Sequence, residues 1–501
     1  MSREKKYLLI LLVILLNACT RSQHSAPWLT DYTLEPNSMP GDSEEYNPHM
    51  PYTRVPGQPI LSPTPDPPHD LPDLRKDSQQ YTVKSGDTLF SIARKYDILP
   101  ELITRANQFQ NPDMLSPGQT LIIPPPDLGE TAPGFKIIPN SELIYGPYSA
   151  SFDVETFINT QGGFLASYTE EVDGQTWTGV EVLQRVADDY SLNPRLLLAV
   201  LEHQCGWVTS GGAHEYPLGY QDARYAKLYR QLAWAANQLN LGYYLWRVNG
   251  IGSWQLADGI SAPANPAINA GTAGVQLFFA NLLPYDLWKK AVSEQGLFAT
   301  YQYLFGYPFD YAFEPLLPED LSQPSLQLPF EEDVVWAFTG GAHGGWDTGS
   351  AWAALDFGPP PGDLGCASSD EWVVASADGK IVRSDHGAVV QSLDGDAYAQ
   401  TGWSLLYMHI DSRGRVAVGT YLEAGERIGH PSCEGGISSG AHLHLARRYN
   451  GEWIPADQDL PFNLDGWISS GEGVVYNGTL QNGSQTIQAD ENRQDHNLIQ
   501  R

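Results

Sequence analysis

Cysteine and basic side chains are the scarce residues of this chain. Among 501 residues there are four cysteines, Cys19, Cys205, Cys366 and Cys433. No two have the spacing of a zinc knuckle, so any metal site must be built from histidine and carboxylate. Lys and Arg total 29 against 59 Asp and Glu, a formal net charge of -30. So acidic a chain is a poor partner for nucleic acid. Long apolar runs are also rare; the run Tyr7 to Leu16 is too short to span a bilayer as a mature helix. Gly, Pro, Trp and Tyr are plentiful instead, which favours loop-rich β structure and aromatic-lined grooves. At 501 residues two to four domains are expected.

Arg3, Lys5 and Lys6 precede the run Tyr7 to Leu16, a pattern that reads as an export signal over residues 1–18. It ends in Leu16-Asn17-Ala18-Cys19, which resembles the lipobox of bacterial lipoproteins. The resemblance implies cleavage before Cys19, lipidation of that residue, and an extracytoplasmic protein anchored to the bacterial cell membrane. Residues 19–79 are rich in Pro, Ser, Asp and Glu and read as a disordered, extended tether.

Residues 80–126 open on a short strand around Tyr81 to Val83. Asp87 or Ser85 can cap a first helix carrying Leu89, Ile92 and Ala93, and Pro100 can start a second with Leu102, Ile103 and Ala106. Pro117-Gly118 then turns the chain into a strand at Leu121 to Ile123. The segment resembles a LysM module, through Gly86-Asp87-Thr88-Leu89, Asn107 and Pro117-Gly118-Gln119. The resemblance implies a βααβ fold that binds the glycan of peptidoglycan. Its groove would lie between Gly86, Asp87 and Thr88 on one loop and Leu115, Ser116 and Pro117 on the other.

Residues 140–320 read as a mostly α-helical domain. Asn193-Pro194 is a good helix start, with Leu197, Val200, Leu201 and Gln204 on one face. The run Leu197 to Trp207 resembles the catalytic helix of lysozyme-like lytic transglycosylases, but Gln204-Cys205 stand where the family has glutamate and serine. An amide cannot deliver a proton as a carboxylic acid does. Glu202 lies about 200° round the helix from Gln204 and faces elsewhere. The expectation is a lysozyme-like domain without transglycosylase activity, or an unrelated helical domain. Trp234, Tyr243, Tyr244, Trp246 and Trp254 can stack on sugars or fill a core. Cys205 is expected to be buried and inert.

From residue 328 to 470 the pattern changes to short β segments between Gly, Asp and Pro turns. His442 and His444 sit two apart in Gly440-Ala-His-Leu-His-Leu-Ala446, so a strand puts both imidazoles on one face and Leu443 and Leu445 in a core. The region resembles the M23 (lysostaphin and β-lytic) zinc metallopeptidases. The resemblance rests on His343, Leu355-Asp356-Phe357, Leu406-Tyr407-Met408-His409, Glu426-Arg427-Ile428-Gly429 and the His442-Leu443-His444 run. It implies an antiparallel β-sheet groove and hydrolysis of peptide bonds in peptidoglycan. It further implies Zn²⁺ on His343, Asp356 and His444, with His442 and His409 as catalytic histidines. Most of the family has His-x-x-x-Asp, which fits Asp347; the β-lytic branch has a longer loop, which fits Asp356. Asp356 is preferred because Leu355 and Phe357 flank it as a strand would. His386 and His430 match no motif position and are expected at the surface. Cys366 and Cys433 can form a bridge outside the cytoplasm, contributing about 4 kcal/mol on a chain-entropy model, or remain two thiols. Residues 471–501 read as a C-terminal tail.

The whole therefore reads as a multidomain α+β protein, a lipid-anchored peptidoglycan endopeptidase targeted by LysM. The rivals are a non-catalytic regulator of another wall hydrolase, which would have lost metal ligands, and a wall-binding anchor.

Overall fold

The computed structural model describes residues 69, 71–96, 98–107, 109, 115–361, 365–367 and 369–501. The export signal, Cys19 and the tether before residue 69 lie outside the described residues. Where the end of the tether is described, it lies against the helical region. His69 Nδ1 is 2.7 Å from Asn249 Oδ1, and Leu71 packs on the helical core. None of the described helices is long and apolar enough to cross a membrane.

The LysM segment is a two-stranded antiparallel ladder, Gln79–Thr82 against Thr120–Ile123, with helices Leu89–Lys95 and Pro100–Asn107 between. Tyr81, Val83, Ile92, Ile103, Leu121 and Ile123 form its core. Neither Asp87 nor Ser85 caps the first helix. Thr88 does so, its Oγ1 accepting from the Ser91 N–H at 3.0 Å. Asp87 instead folds its own loop: Oδ2 accepts from Tyr81 Oη and from Lys84 N–H, both at 2.7 Å. Asn107 ties the second helix to the strand, its amide exchanging bonds of 2.7 and 2.8 Å with the backbone of Ile122. Both candidate glycan loops thus sit at the same end of the ladder, joined where Gly118 N–H donates to Val83 O at 2.8 Å.

Seven helices form the region that follows: Val154–Gln161, Gly179–Tyr190, Pro194–Cys205, Leu228–Arg247, Ala270–Ala280, Tyr285–Ala291 and Leu297–Phe305. Pro194 begins its helix as expected, and the Asn193 side chain accepts from Arg195 N–H. Leu196 to Leu201 are all fully buried, so this helix is apolar all round and runs through the core rather than along it. Arg195 is buried with it, paired to Glu142 at 2.7 Å. Trp234, Tyr243, Tyr244, Trp246 and Trp254 are buried too, which makes them core and not sugar platforms. Cys205 is buried, its thiol donating to Leu201 O at 3.4 Å.

The third region is an antiparallel sheet. Its strands run in the spatial order Tyr421–Leu422, Gly379–Asp385, Ala388–Ser392, Trp403–Met408, Leu443–Tyr449, Ala354–Gly358, Val335–His343 and Leu498–Gln500. Period-2 alternation divides the two faces. Leu355, Phe357, Leu405, Tyr407, Leu443 and Leu445 enter one core on the far side. Ala354, Val390, Leu406, Met408 and Ala446 belong to the same apolar cluster as the helices. The helical region therefore packs on one particular face of the sheet.

Residues 471–501 are not a tail. Gly478–Asn482 and Gln485–Gln488 complete a four-stranded antiparallel sheet begun by Asn463–Leu464 and Trp467–Gly471. Leu498–Gln500 then closes the edge of the large sheet against Val335–His343. Polar exposed faces hide these strands in sequence; Leu480, Ile487 and Ile499 are the buried residues that hold them. Cys366 and Cys433 are joined by a disulfide, Cα to Cα 5.5 Å.

Candidate metal centre

Strand register assembles the cluster. His444 lies directly opposite Asp356, and Asp356 in turn lies opposite Gly340. Between Gly340 and His343 the pairing slips, so three steps on one strand face two on the other, and His343 ends opposite Ala354. That bulge turns His343 to the Asp356 face of the sheet. Gly340 leaves room for the carboxylate: a Cβ there would stand 2.8 Å from Asp356 Oδ2. Met408 faces His444 across the next strand pair, and His409 follows it. His409 holds φ of +66°, a left-handed conformation that swings its ring back over the cluster. His442 stands one residue before its strand, on the same side as His444.

The donor atoms converge. His343 Nε2 is 3.2 Å and His444 Nδ1 3.3 Å from Asp356 Oδ1, and the two nitrogens are 3.0 Å apart. All three residues are buried. The remaining ring nitrogens are engaged. His343 Nδ1 meets Gly341 O at 2.8 Å, and His444 Nε2 meets Gly345 O at 3.1 Å. A carbonyl only accepts, so each of those nitrogens carries the proton. With both rings neutral, the facing nitrogens are bare lone pairs, beside a buried Asp356 Oδ1 that lacks a hydrogen-bond donor. Three acceptors aimed at one point, with no donor among them, are the ligand set of a cation. Carbonyl-oriented imidazoles are the usual second layer of a zinc site.

His442 and His409 obey the same rule. His442 Nδ1 lies 2.9 Å from Gly440 O, and His409 Nδ1 lies 2.8 Å from Glu434 O. Each therefore presents Nε2 as an acceptor. His442 Nε2 is 3.7 Å from Asp356 Oδ1, and the His409 and His442 rings are 4.4 Å apart. Burial, followed by the neighbouring His442 and His444, pushes His409 down to about 3. Burial also holds His444 below its ordinary value. Burial disfavours charge on Asp356 and His343 alike, but their mutual attraction outweighs it, lowering the carboxyl well below its usual range and raising the imidazole.

Other sequence candidates lie elsewhere. Asp347 is turned away: its Oδ2 accepts from Tyr190 Oη at 3.0 Å, on the helical region. Its exposed loop, with φ of +55°, ties the two regions together. His430, expected at the surface, is buried, with Nδ1 2.8 Å from Glu371 O and its ring 3.8 Å from that of Trp372. Its contacts come from residues far away in the chain, which single-strand patterns do not reveal. His386 is half-exposed. In the helical region, Glu202 Oε2 accepts from Val208 and Thr209 N–H at 3.0 and 3.1 Å, and Gln204 Nε2 donates to Leu218 O. Both side chains fasten the turn after their helix. Sequence reading also missed Tyr476. Its half-exposed ring stacks on His343, centroids 4.4 Å apart, which places a phenol at the cluster's open side. Its contact with His343 joins distant parts of the chain, so no local pattern marked it.

Three family models match the chain. They are a LysM domain over residues 81–124, "LasA, N-terminal domain" over 136–317, and peptidase family M23 over 362–455. The last covers His409, His442 and His444, while His343 and Asp356 lie upstream of it. Protease LasA of Pseudomonas aeruginosa (strain UCBPP-PA14) is 27% identical over 347 residues, 63% of this chain and 74% of that protein. The beta-lytic metalloendopeptidase of Achromobacter lyticus is 27% identical over 162 residues, 31% of this chain and 39% of that one. Among solved structures, the M23 metalloprotease pseudoalterin, described as from the deep sea, is 23% identical. It aligns with 34% of this chain and 96% of its own, at a TM-score of 0.28. The chain thus carries an M23-type metalloendopeptidase domain, and its His-Asp-His donor set fits the zinc on which such peptidases depend.

Proposed function

We propose that this chain is an extracytoplasmic zinc endopeptidase that cuts peptide bonds in bacterial peptidoglycan. In this reading His343, Asp356 and His444 hold the metal. The observation that carries it is the convergence of three lone-pair atoms, each ring fixed from behind by a backbone carbonyl. Zinc, when bound, supplies Lewis acidity toward a carbonyl and makes water acidic near neutral pH. The protein's own groups do the rest. His442, whose Nδ1–H is held by Gly440 O, takes the proton of the attacking water at Nε2 and returns it to the leaving amine. His409, ring to ring with His442 and with its Nδ1–H given to Glu434 O, presents Nε2 beside the cluster as a hydrogen-bond acceptor. Tyr476 offers a phenolic donor beside His343 for the developing oxyanion.

The LysM segment supports glycan targeting, with Gly86, Asp87, Thr88, Leu115, Ser116 and Pro117 as the candidate groove, and tethering raises the local concentration of substrate at the cluster. Lipidation at Cys19, in the run Leu16-Asn17-Ala18-Cys19, would hold the protein at the membrane. The helical region is read as a structural partner of the peptidase and not as a transglycosylase, because Glu202 is committed to its turn. A non-catalytic regulator is disfavoured by the complete donor set.

The test is metal content and wall digestion with purified protein. Wild type should carry one zinc and release cleaved muropeptides from sacculi. His444→Ala should lose both while keeping its far-UV spectrum and melting cooperatively. Stoichiometric zinc retained in the variant would refute the assignment.

A further inference from the structure

The helical region and the cluster share one face of the sheet, and a cavity of about 440 Å³ opens between them. A larger hollow of about 570 Å³ at Gln323–Leu326 and Leu460–Ile468 touches no cluster residue. The smaller one does adjoin the cluster. Its β-side wall includes Trp346, next to the Gly345 carbonyl that orients His444, and Glu434, whose carbonyl orients His409. Its floor includes Gly436, where a Cβ would lie 3.5 Å from His409 Cε1. The opposite wall comes from the helical region: Asp173, Trp177 and Tyr229, with the Arg185 guanidinium 6.0 Å from the Trp177 ring centre and His386 of the sheet edge-on to that ring at 5.3 Å.

The two walls are fastened by charge. Asp189 accepts from Arg185 and from Arg383, both at 2.7 Å, while Arg185 and Arg383 also reach Asp385 at 2.8 and 3.1 Å. Asp189 is almost wholly buried in this ring of four. Burial lowers the Arg383 charge's comfort, but Asp189, Asp385 and Asp188 around it more than restore it. Two guanidiniums and two carboxylates cancel, so the ring positions the wall without setting the sign of the cavity. That sign comes from the exposed carboxylate of Asp173 and from Glu434, itself partly countered by Arg415 at 3.5 Å. Trp177 and Tyr229 stand edge to face, centroids 6.0 Å apart, and both are partly exposed.

We infer that this cavity is a substrate subsite built jointly by the two regions, in which Trp177, Tyr229 and Asp173 select a peptide segment bearing a free amine beside the scissile bond. An aromatic wall attracts an ammonium and stacks on the carbon chain that carries it, and a rim carboxylate completes its neutralisation. The inference rests on the peptidase reading and names residues outside the M23 match that set its specificity.

The experiment uses the full zinc-loaded protein and two synthetic stem peptides, identical except that one carries its side-chain amine free and the other acetylated. Wild type should favour the free amine by about tenfold in kcat/KM. Asp173→Asn should bring that ratio close to one. Trp177→Ala should lower kcat/KM on the free-amine peptide about tenfold through KM, with zinc content unchanged, while Trp177→Phe retains most of the preference. Thermal melts of each variant verify folding, and Tyr229→Ala gives a second reading of the same wall. Equal kcat/KM for the two peptides in wild type overturns the amine assignment. Unchanged or raised kcat/KM in Trp177→Ala and Tyr229→Ala overturns the subsite, a rise meaning that the helical region obstructs the cleft. Zinc-loaded wild type that cleaves neither peptide nor sacculi overturns the peptidase reading itself, a result distinct from either.

Discussion

Gly340→Ala tests whether the sheet, and not only the ligands, sets the metal site. A Cβ at 340 would stand 2.8 Å from Asp356 Oδ2, 3.0 Å from its Cβ and 3.2 Å from its Cγ. Comfortable separations begin at roughly 3.5 Å, so the carboxylate must retreat by about half an ångström. Backbone relief is blocked, because Asp356 is paired on both sides, with Gly340 and with His444. Metal sites keep their distances within about 0.2 Å. The expected outcome is a folded protein destabilised by about 1–3 kcal/mol, with zinc affinity reduced by about 10- to 100-fold. Competition with a chromophoric chelator at fixed pH measures the affinity, and urea unfolding of the metal-free protein measures the stability. Gly358→Ala, on the Asp356 strand, is the control; its Cβ would press only on the Thr339 side chain. Wild-type zinc affinity in Gly340→Ala would show that Asp356 does not need this clearance, and the register argument would fail.

Three further outcomes are expected. Asp356→Asn should lose zinc far more readily than Asp347→Asn, whose carboxylate serves Tyr190; the reverse order in metal analysis would exchange their roles. Glu202→Gln should cost about 1–3 kcal/mol in urea unfolding, because an amide cannot accept all three bonds made to Val208 and Thr209. Mass spectrometry of the digested wall should find no anhydro-sugars from wild type; their presence in wild type and loss in the variant would make the chain a glycan hydrolase as well. Burial lowers His203 to about 4 from 6.5, so the unfolded chain binds a proton that the native state refuses. Stability from this residue is complete above pH 6.5 and falls as pH drops toward 4, by at most about 3 kcal/mol for a ring that keeps some exposure. His203→Gln should flatten that part of the stability profile between pH 7 and 4, and an unchanged slope would remove His203 as its source.

Much of the site was legible because its logic is local. A His-Leu-His run between apolar residues can only alternate, so His442 and His444 had to share a side while Leu443 and Leu445 entered a core. Leu355 and Phe357 marked Asp356 as a strand residue in the same way, and Asp347, among glycine and threonine, as a loop residue. The LysM ladder was equally readable, since turn, helix and strand follow one another within a few dozen residues. The cap was misjudged by one position, because Asp87 found better partners in Tyr81 and Lys84.

What tertiary structure alone decided was everything that depends on strands meeting across long stretches of chain. Which nitrogen of each histidine faces the cluster follows from carbonyls at Gly341, Gly345, Glu434 and Gly440, and only folding shows where those carbonyls point. The bulge that aims His343, the clearance at Gly340 and the ring of Tyr476 are likewise facts of register and packing. So is the place of the helical region. One helix there is buried on every side, because the run Leu196 to Leu201 leaves it no polar face over that stretch. The region's seat on the cluster side of the sheet comes from four charged groups and an apolar seam drawn from distant segments, which no local pattern encodes.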